Sequence, residues 1–480
     1  MSFHVSLVGR KNLSREIYRQ IAHAILDGRL RPGDRLSPSR ELAEALDVSR
    51  MTVNVAYERL AGEGFVTSRQ GAGTFVSDSV ARVAHQPAKQ RSRGALQPRP
   101  IWQSVPVQDP FAQPAHYDFR TGLPDATLFP HRTWRRCVAQ SLLSIGSTAS
   151  VYGDPAGLGD LRAAIVRQIG FSRGVEASAD EIIVTTGTQQ ALDIIARVLL
   201  SPGDTIAVEE PGYFLPSLLF NSMGLRVANV PVDKEGIVVA KLPRRARAVY
   251  VTPSHQFPLA VAMTLRRRLA LLAWAEQNHA AIIEDDYDSE FRFGGRPLEP
   301  LHRLDSTGRV LYVGSFSKTM LPTLRLGFLI APPSLKKALL SAKFVSDWHT
   351  SGLAQGALAR FMEEGSFARH VRKMTGVYRE RHAMITDIVA RDFGEHLELL
   401  PSAAGLHVAA FARTATVDQI NKVVLQAAER SVAVQNFSTS SARSAAHGGL
   451  MLGYGAISSK RIRAGLRVLR ECFDEMRRSG

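Results

Sequence analysis

The chain has 480 residues, 45% of them hydrophobic and 22% charged, a composition that fits roughly two to four cored domains and argues against wholesale disorder. Its 60 Lys+Arg against 44 Asp+Glu give a net charge of +16, and two cysteines, Cys137 and Cys472, are too few for a disulfide framework and lack metal-ligand spacing. With no apolar run of about 18 residues and no apolar core in MSFHVSLVGRKNLS, a secreted, membrane-embedded or disulfide-stapled protein is not expected; a cytoplasmic one without a metal centre is.

Charge is uneven along the chain. Residues 1–100 hold 16 Lys+Arg and 9 Asp+Glu, a density of net positive charge about three times that of the remainder, the footprint of nucleic-acid binding. In this region LSREIYRQIAHAILDG sets Leu13, Ile17, Ile21 and Ile25 on one helical face, with Gly28 as a stop. The segment SPSRELAEALDVSRMTVNVAYERLAGEG follows. Ser39 is expected to cap a short helix, Asp47-Val48 to turn, and Ser49 to cap a second helix buried through Val53, Ala56, Tyr57 and Leu60. Two short helices joined in this way form a helix-turn-helix whose second helix fits the major groove. FVTSRQGAGTFV then reads as two strands about a glycine turn, a wing with Arg69 and Gln70 near its tip. A helical dimerisation cap with an incidental hairpin is the blander alternative, and the order, spacing and basicity together favour the DNA-binding reading.

The segment from PGDRLSPSREL to GAGTFV resembles the winged helix-turn-helix of the GntR family of bacterial transcription regulators. By position, that resemblance implies DNA contacts from Arg40, Ser49, Arg50, Thr52, Asn54, Gln70 and Gly71. Arg40 and Arg50 suit phosphate or guanine, whereas Met51 occupies a place that is often polar in the family.

Composition breaks after Asp78. The Pro-, Gln-, Ser- and Arg-rich stretch to about Ala115 reads as a semi-rigid linker. The expected organisation is a DNA-binding domain over 11–79, a linker over 80–114 and a third segment over 115–480. In the last of these, the β-branched runs EIIVTTG, DTIAVEEP, RAVYVTP, AAIIEDDY and RVLYVGSFSK alternate with helical patterns, which predicts a mostly parallel, buried sheet.

Four features of that segment carry chemistry. In YVGSFSKTMLPTLRLGF, Lys318 follows an apolar strand, flanked by Ser315 and Ser317, with Arg325 seven residues on. A lysine there suits a Schiff base with an aldehyde cofactor whose phosphate the hydroxyls and arginine hold. Upstream, AAIIEDDYDSEF sets Asp285 and Tyr287 at a strand end, suited to a pyridinium nitrogen and a ring hydroxyl. TTGTQQALD turns from strand to helix, with Thr188 and Gln189 at a ready phosphate cradle. EEPGYF offers Tyr213 as an aromatic face.

In this order, with YGDPAGLGDLRAAI, VTPSHQFP and GLHV, the features resemble the fold type I, pyridoxal-phosphate-dependent aminotransferases. Joined to a GntR-type head, the chain resembles the MocR subfamily, regulators that use an aminotransferase-like domain as effector sensor. The fold class so implied is multidomain: a winged helix-turn-helix and an α/β fold type I domain. The resemblance also implies pyridoxal 5′-phosphate on Lys318 as Schiff-base lysine. Asp285 would be the partner of the ring nitrogen and Tyr287 a ring contact. Thr188, Gln189, Ser315, Ser317 and Arg325 would be phosphate ligands, and Tyr213 would stack on the ring.

The partners implied are double-stranded operator DNA, a second copy of the chain in a homodimer, and a small-molecule effector: an amine, an amino acid or a B6 vitamer. Two departures bear on catalysis. Phe257-Pro258-Leu259-Ala260 stands where aminotransferases carry Asn-Pro-x-Gly, leaving His255 or Gln256 as substitutes, and the late-strand region HGGLMLGYGAI has no arginine to clamp an α-carboxylate. Arg226 and Arg292 are candidate replacements. A catalytically active aminotransferase with an accessory DNA-binding head is the alternative, and the missing arginine disfavours it.

Overall fold

The computed structural model describes residues 5, 7, 12–69, 72–78, 96–105, 115–145, 151–294, 299–437 and 448–479. Its chain contacts divide into two units, Met1–Pro98 and Arg99–Gly480.

The first unit follows the sequence pattern closely. Helix α1 spans Leu13–Leu26, α2 Ser39–Ala45 and α3 Arg50–Gly62, followed by the antiparallel hairpin of β1 (Val66–Arg69) and β2 (Gly73–Val76). Ile17, Ile21 and Ile25 of α1 meet Val53, Ala56, Tyr57 and Leu60 of α3 and Val66 and Val76 of the hairpin in one core. Burial of such a stripe is what holds short helices in place. Ser49 caps α3 as expected, its hydroxyl accepting from the Thr52 amide at 3.1 Å. Ser39 does not cap α2: Pro38, with extended backbone, occupies that position, so Ser39 is the first helical residue and its Oγ accepts from Arg50 Nε at 3.4 Å instead. Asp47 turns the chain with a φ of 51°.

The second unit begins with a short helix, Pro100–Ser104, inside the span expected to be linker. The strands that follow are β3 Tyr117–Asp118, β4 Ile182–Thr185, β5 Thr205–Glu210, β6 Arg226–Asp233, β7 Gly236–Ile237, β8 Ala246–Val251, β9 Ala281–Asp286, β10 Val310–Ser315 and β11 Gly327–Ile330. Further on are β12 Leu397–Leu399, β13 His407–Ala412, β14 Val432–Ala433, β15 Gln435–Asn436 and β16 Gly449–Gly453. Eight strands form the large sheet in the order β4-β11-β10-β9-β8-β5-β6-β7. The five runs singled out in the sequence are β4, β5, β8, β9 and β10, which run parallel to one another, as does β6 beside β5. The short β11 runs antiparallel between β4 and β10, so the sheet is mixed.

Alternate residues serve its two faces. Ile182 and Val184 pack into one core with Phe361 and Leu161, and Ile183 packs into the other with Leu192 and Phe220. Burial on both sides explains why these strands read as continuous apolar runs. A second sheet, β12-β13-β16-β15, packs beneath the long helices Ser366–Asp392 and Ser459–Ser479. Parallel strands send their C-terminal ends to one edge of the large sheet, where open α/β folds place their ligands.

Candidate effector and DNA-binding sites

All the candidate cofactor residues leave that edge or lie beside it. Lys318 follows β10. It is half-buried, and its Nζ donates to the Gly122 carbonyl at 2.8 Å. Burial lowers its ammonium below the usual lysine range, opposed by the carboxylates of Asp288 and Asp285.

Asp285 ends β9. Its Oδ2 accepts from the Tyr250 hydroxyl at 2.7 Å, while its Oδ1, equally buried, has no partner. Burial pushes this carboxyl up to about 7, against the Tyr250 hydrogen bond. An unpartnered buried carboxylate oxygen is costly, and a ring N–H is the kind of group that would satisfy it. Tyr213 follows β5 and is held up at about 12 by burial, with Asp285 raising it further and Arg325 opposing.

The phosphate side is equally specific. Helix Thr188–Leu199 starts after Gly187, whose φ is 79°. A Cβ on Gly187 would fall 2.7 Å from the Arg325 guanidinium, so only glycine leaves the arginine this place over the helix N-terminus. Arg325, itself left-handed at φ 50°, donates to the Thr186 carbonyl at 3.1 Å. Ser315 ends β10 opposite Gly327 of β11, which in turn lies against Gly187, and its Oγ accepts from the Ser317 amide. Thr188 and Gln189 occupy the first turn of the helix. The amides, hydroxyls and guanidinium make an anion cradle, and the free Asp285 oxygen supplies its acidic counterpart. This donor set fits pyridoxal phosphate.

Tyr287, expected to be a ring contact, is tied to His255. Its hydroxyl donates to the His255 carbonyl at 2.8 Å and lies 3.1 Å from His255 Nδ1. Of the two substitutes for the missing asparagine, Gln256 is committed through its Nε2 to the carbonyls of Pro211 and Phe257. His255 keeps a buried, unpartnered Nε2. Its Nδ1 lies 3.0 Å from Asp288, and His407 lies beside it, the three side chains offering ligand-type atoms within 4.8 Å of one another. Neither Asp288 nor His407 was singled out by sequence reasoning. Both stood inside quoted segments, DYDSEF and GLHV, without a role, as did Tyr250 in RAVYV.

The late strand is β16, Gly449–Gly453, apolar and buried throughout. Arg226 does not replace its missing arginine. It begins β6 opposite Thr205, at the far end of the sheet from Glu210 and Tyr213. Arg292 is half-buried, with Arg173 and Asp286 as its charged neighbours.

In the first unit Arg40 and Arg50 are exposed and line one surface hollow with Glu44, Asp47 and Val48. Arg40 pairs loosely with Glu44 at 3.6 Å. Ser49, Thr52 and Asn54 lie at the N-terminal end of α3, and Met51 is 70% exposed. Gln70 and Gly71 lie outside the described residues.

Comparison with known proteins agrees with both halves. The model of the gntR family of bacterial regulatory proteins matches residues 13–76, and that of aminotransferase class I and II matches residues 125–447. The chain is 36% identical to the probable rhizopine catabolism regulatory protein MocR of Rhizobium meliloti, across 98% of this chain and 95% of that protein. It is 34% identical to the uncharacterized HTH-type transcriptional regulator YhdI of Bacillus subtilis (strain 168), across 96% of each. Among solved structures, the kynurenine aminotransferase of Pyrococcus horikoshii superposes with a TM-score of 0.71 and 25% identity, over 78% of this chain and 96% of that one. The chain therefore belongs to the MocR subfamily of GntR-type transcription regulators, in which a DNA-binding winged helix-turn-helix is joined to an aminotransferase-like domain that binds pyridoxal 5′-phosphate.

Proposed function

We propose that the large unit acts as an effector sensor, reading an amine, an amino acid or a B6 vitamer through a cofactor carried on Lys318. The observation that carries this reading is the pairing of an intact cofactor site with a late strand that lacks the cation needed to fix an α-carboxylate. When bound, the cofactor supplies an aldehyde carbon that bonds amines reversibly and a ring that draws electrons.

The chain supplies the rest. Burial lowers the Lys318 ammonium and so favours the neutral, nucleophilic amine. Asp285 Oδ1 would receive the ring N–H. Thr188, Gln189, Ser315, Ser317 and Arg325 would hold the phosphate, and Tyr213 and Tyr287 would contact the ring, Tyr287 being itself bonded to the His255 carbonyl. Without a guanidinium on β16, an α-amino acid is not oriented for rapid proton removal, and loss of orientation costs orders of magnitude in rate. Sensing is favoured over turnover on this ground.

Arg40, Ser49, Arg50, Thr52 and Asn54, with Gln70 and Gly71 of the wing, would contact operator DNA. The protein would act as a homodimer whose two heads read two half-sites. Support for a dimer comes from an exposed apolar patch on the large unit. There Tyr152, 70% exposed, stacks on Trp348 at 4.1 Å, beside Phe344 and the 79% exposed Val345. A ligand shifts DNA affinity only if it binds the two states of the protein unequally.

The test is binding of the full-length protein to operator fragments selected from a random library, with and without cofactor and a panel of amines. Wild type should change its DNA affinity with ligand, and Lys318→Ala should bind the same DNA without responding. A ligand response that survives in Lys318→Ala would overturn the reading.

A further inference from the structure

The large sheet has a second edge, opposite the one that carries the cofactor residues, and it is basic. β6 begins there with Arg226, which pairs with Thr205 at the start of β5, and Thr205 pairs on its other side with Ala246 at the start of β8. Neighbouring strands lie about 4.8 Å apart, so Arg226 and the segment Arg244-Arg245-Ala246-Arg247 stand about 10 Å from each other across β5. All four arginines are exposed.

Arg247 is exposed against the pattern of its own strand, in which Ala246 and Ala248 to Val251 are buried. Register explains this. Thr205 faces Ala246 and Ile206 faces Ala248, so Arg247 is an extra residue bulged out of the ladder. A bulge interrupts regular pairing and re-aims a side chain; here it turns a guanidinium to solvent beside two others. None of the four pairs with a carboxylate among the described residues, and outside those residues the sequence holds one acidic side chain, Asp109. The acids that precede β5 and β10 at this edge are spent on backbone. Asp204 accepts from the Ser201 amide at 2.8 Å, and Asp305 from the amides of Thr307, Arg309 and Val310.

Unbalanced charge of this kind attracts a polyanion. The chain already holds one, since duplex DNA on the winged helix-turn-helix carries a negative charge every ~1.7 Å along its axis. The covalent link between the units makes a second contact with that DNA intramolecular. The twenty residues 79–98 can span at most about 70 Å, roughly two turns of duplex.

We propose that this edge, through Arg226, Arg244, Arg245 and Arg247, binds the phosphate backbone of DNA flanking the sequence read by the head. The proposal goes beyond the sensor reading and does not depend on the cofactor. Phosphate contacts position a protein without reading bases, so the edge adds affinity and fixes orientation while sequence preference stays with the winged helix-turn-helix.

Fluorescence anisotropy of the full-length protein tests this on two fragments. One is the operator core selected from a random library; the other is the same core with about 20 bp of arbitrary sequence on each side, roughly two turns. Wild type should bind the flanked fragment at least tenfold more tightly at about 50 mM salt, whatever the flanking sequence, and the advantage should shrink toward about 200 mM. Arg244→Ser/Arg245→Ser/Arg247→Ser should bind the core as wild type does and lose the advantage. On flanked DNA its slope of log affinity against log salt should be shallower by about 2–3, close to 0.9 for each phosphate contact removed. Arg226→Ser lies outside the bulge and should show the same change in smaller measure, so it serves if the triple variant fails to fold. Equal affinity of wild type for the two fragments overturns the proposal, as does an advantage that both variants keep. Variants that lose affinity for single-stranded RNA while keeping the flank advantage would overturn it in favour of RNA.

Discussion

The hydroxyl of Tyr250 donates to Oδ2 of Asp285 at 2.7 Å, joining the C-terminal ends of the neighbouring parallel strands β8 and β9. That bond fixes the carboxylate with Oδ1 turned away from Tyr250 and unpaired. Tyr250 thus acts on a bound ring through Asp285, as a positioning residue.

Tyr250→Phe should therefore weaken cofactor binding without unfolding the chain. A hydrogen bond to a charged group contributes about 1.5–3 kcal/mol, so affinity for pyridoxal phosphate should fall by about tenfold or more. Fluorescence titration of the apoprotein measures it, together with the absorbance of the bound cofactor, which reports the protonation of the ring. Unchanged affinity and an unchanged spectrum would show that Asp285 is held by its strand alone.

Asp285 also sets a pH dependence. Burial raises its carboxyl in the folded apoprotein from an ordinary value near 3.8 to about 7. Between those values the native state keeps a proton that the unfolded chain has released, so this group's contribution to stability falls as pH rises from about 4 to about 7 and is level above. Asp285→Asn removes the dependence. Apo Asp285→Asn should gain Tm over apo wild type, by more at pH 7.5 than at pH 5.5, and cofactor should reverse the order by giving the wild-type carboxylate its cationic partner. A Tm difference independent of pH would mean that Asp285 is already ionised in the apoprotein.

On the DNA side, Arg50 stands exposed just beyond the Ser49 cap, with only a long bond to Ser39. Arg50→Ala should weaken operator binding by about 1–3 kcal/mol if the arginine reads a base, with loss of preference at one position. A uniform loss over all sequences, with a shallower salt dependence, would assign Arg50 to phosphate instead. Fluorescence anisotropy over a range of salt concentrations separates the two outcomes.

The local parts of this architecture were legible in the sequence because each is written within a dozen residues. The four-residue steps of α1, the serine cap of α3 and the apolar runs of β4, β5, β8, β9 and β10 need no distant partner to be recognised. Lys318 was legible for the same reason, standing just after a strand and behind two serines, Ser315 and Ser317. What escaped is set by register between distant segments. Tyr250 reaches Asp285 only because β8 and β9 pair in parallel. Asp288, His255 and His407 meet across 33 and 119 residues of chain because Gly405 leaves them room. The antiparallel β11 is only four residues long, and its place between β4 and β10 follows from neither composition nor period. The failure of Ser39 as a cap turns on the backbone of Pro38, which outweighs the usual preference for serine.

The claim on which the rest depends is that Lys318 carries pyridoxal phosphate. Borohydride reduction of the loaded full-length protein, followed by proteolysis and mass spectrometry, tests it most directly. The account predicts one reduced cofactor per chain, on the peptide containing Lys318, and none in Lys318→Ala. Label on another lysine, or label retained by Lys318→Ala, would contradict it.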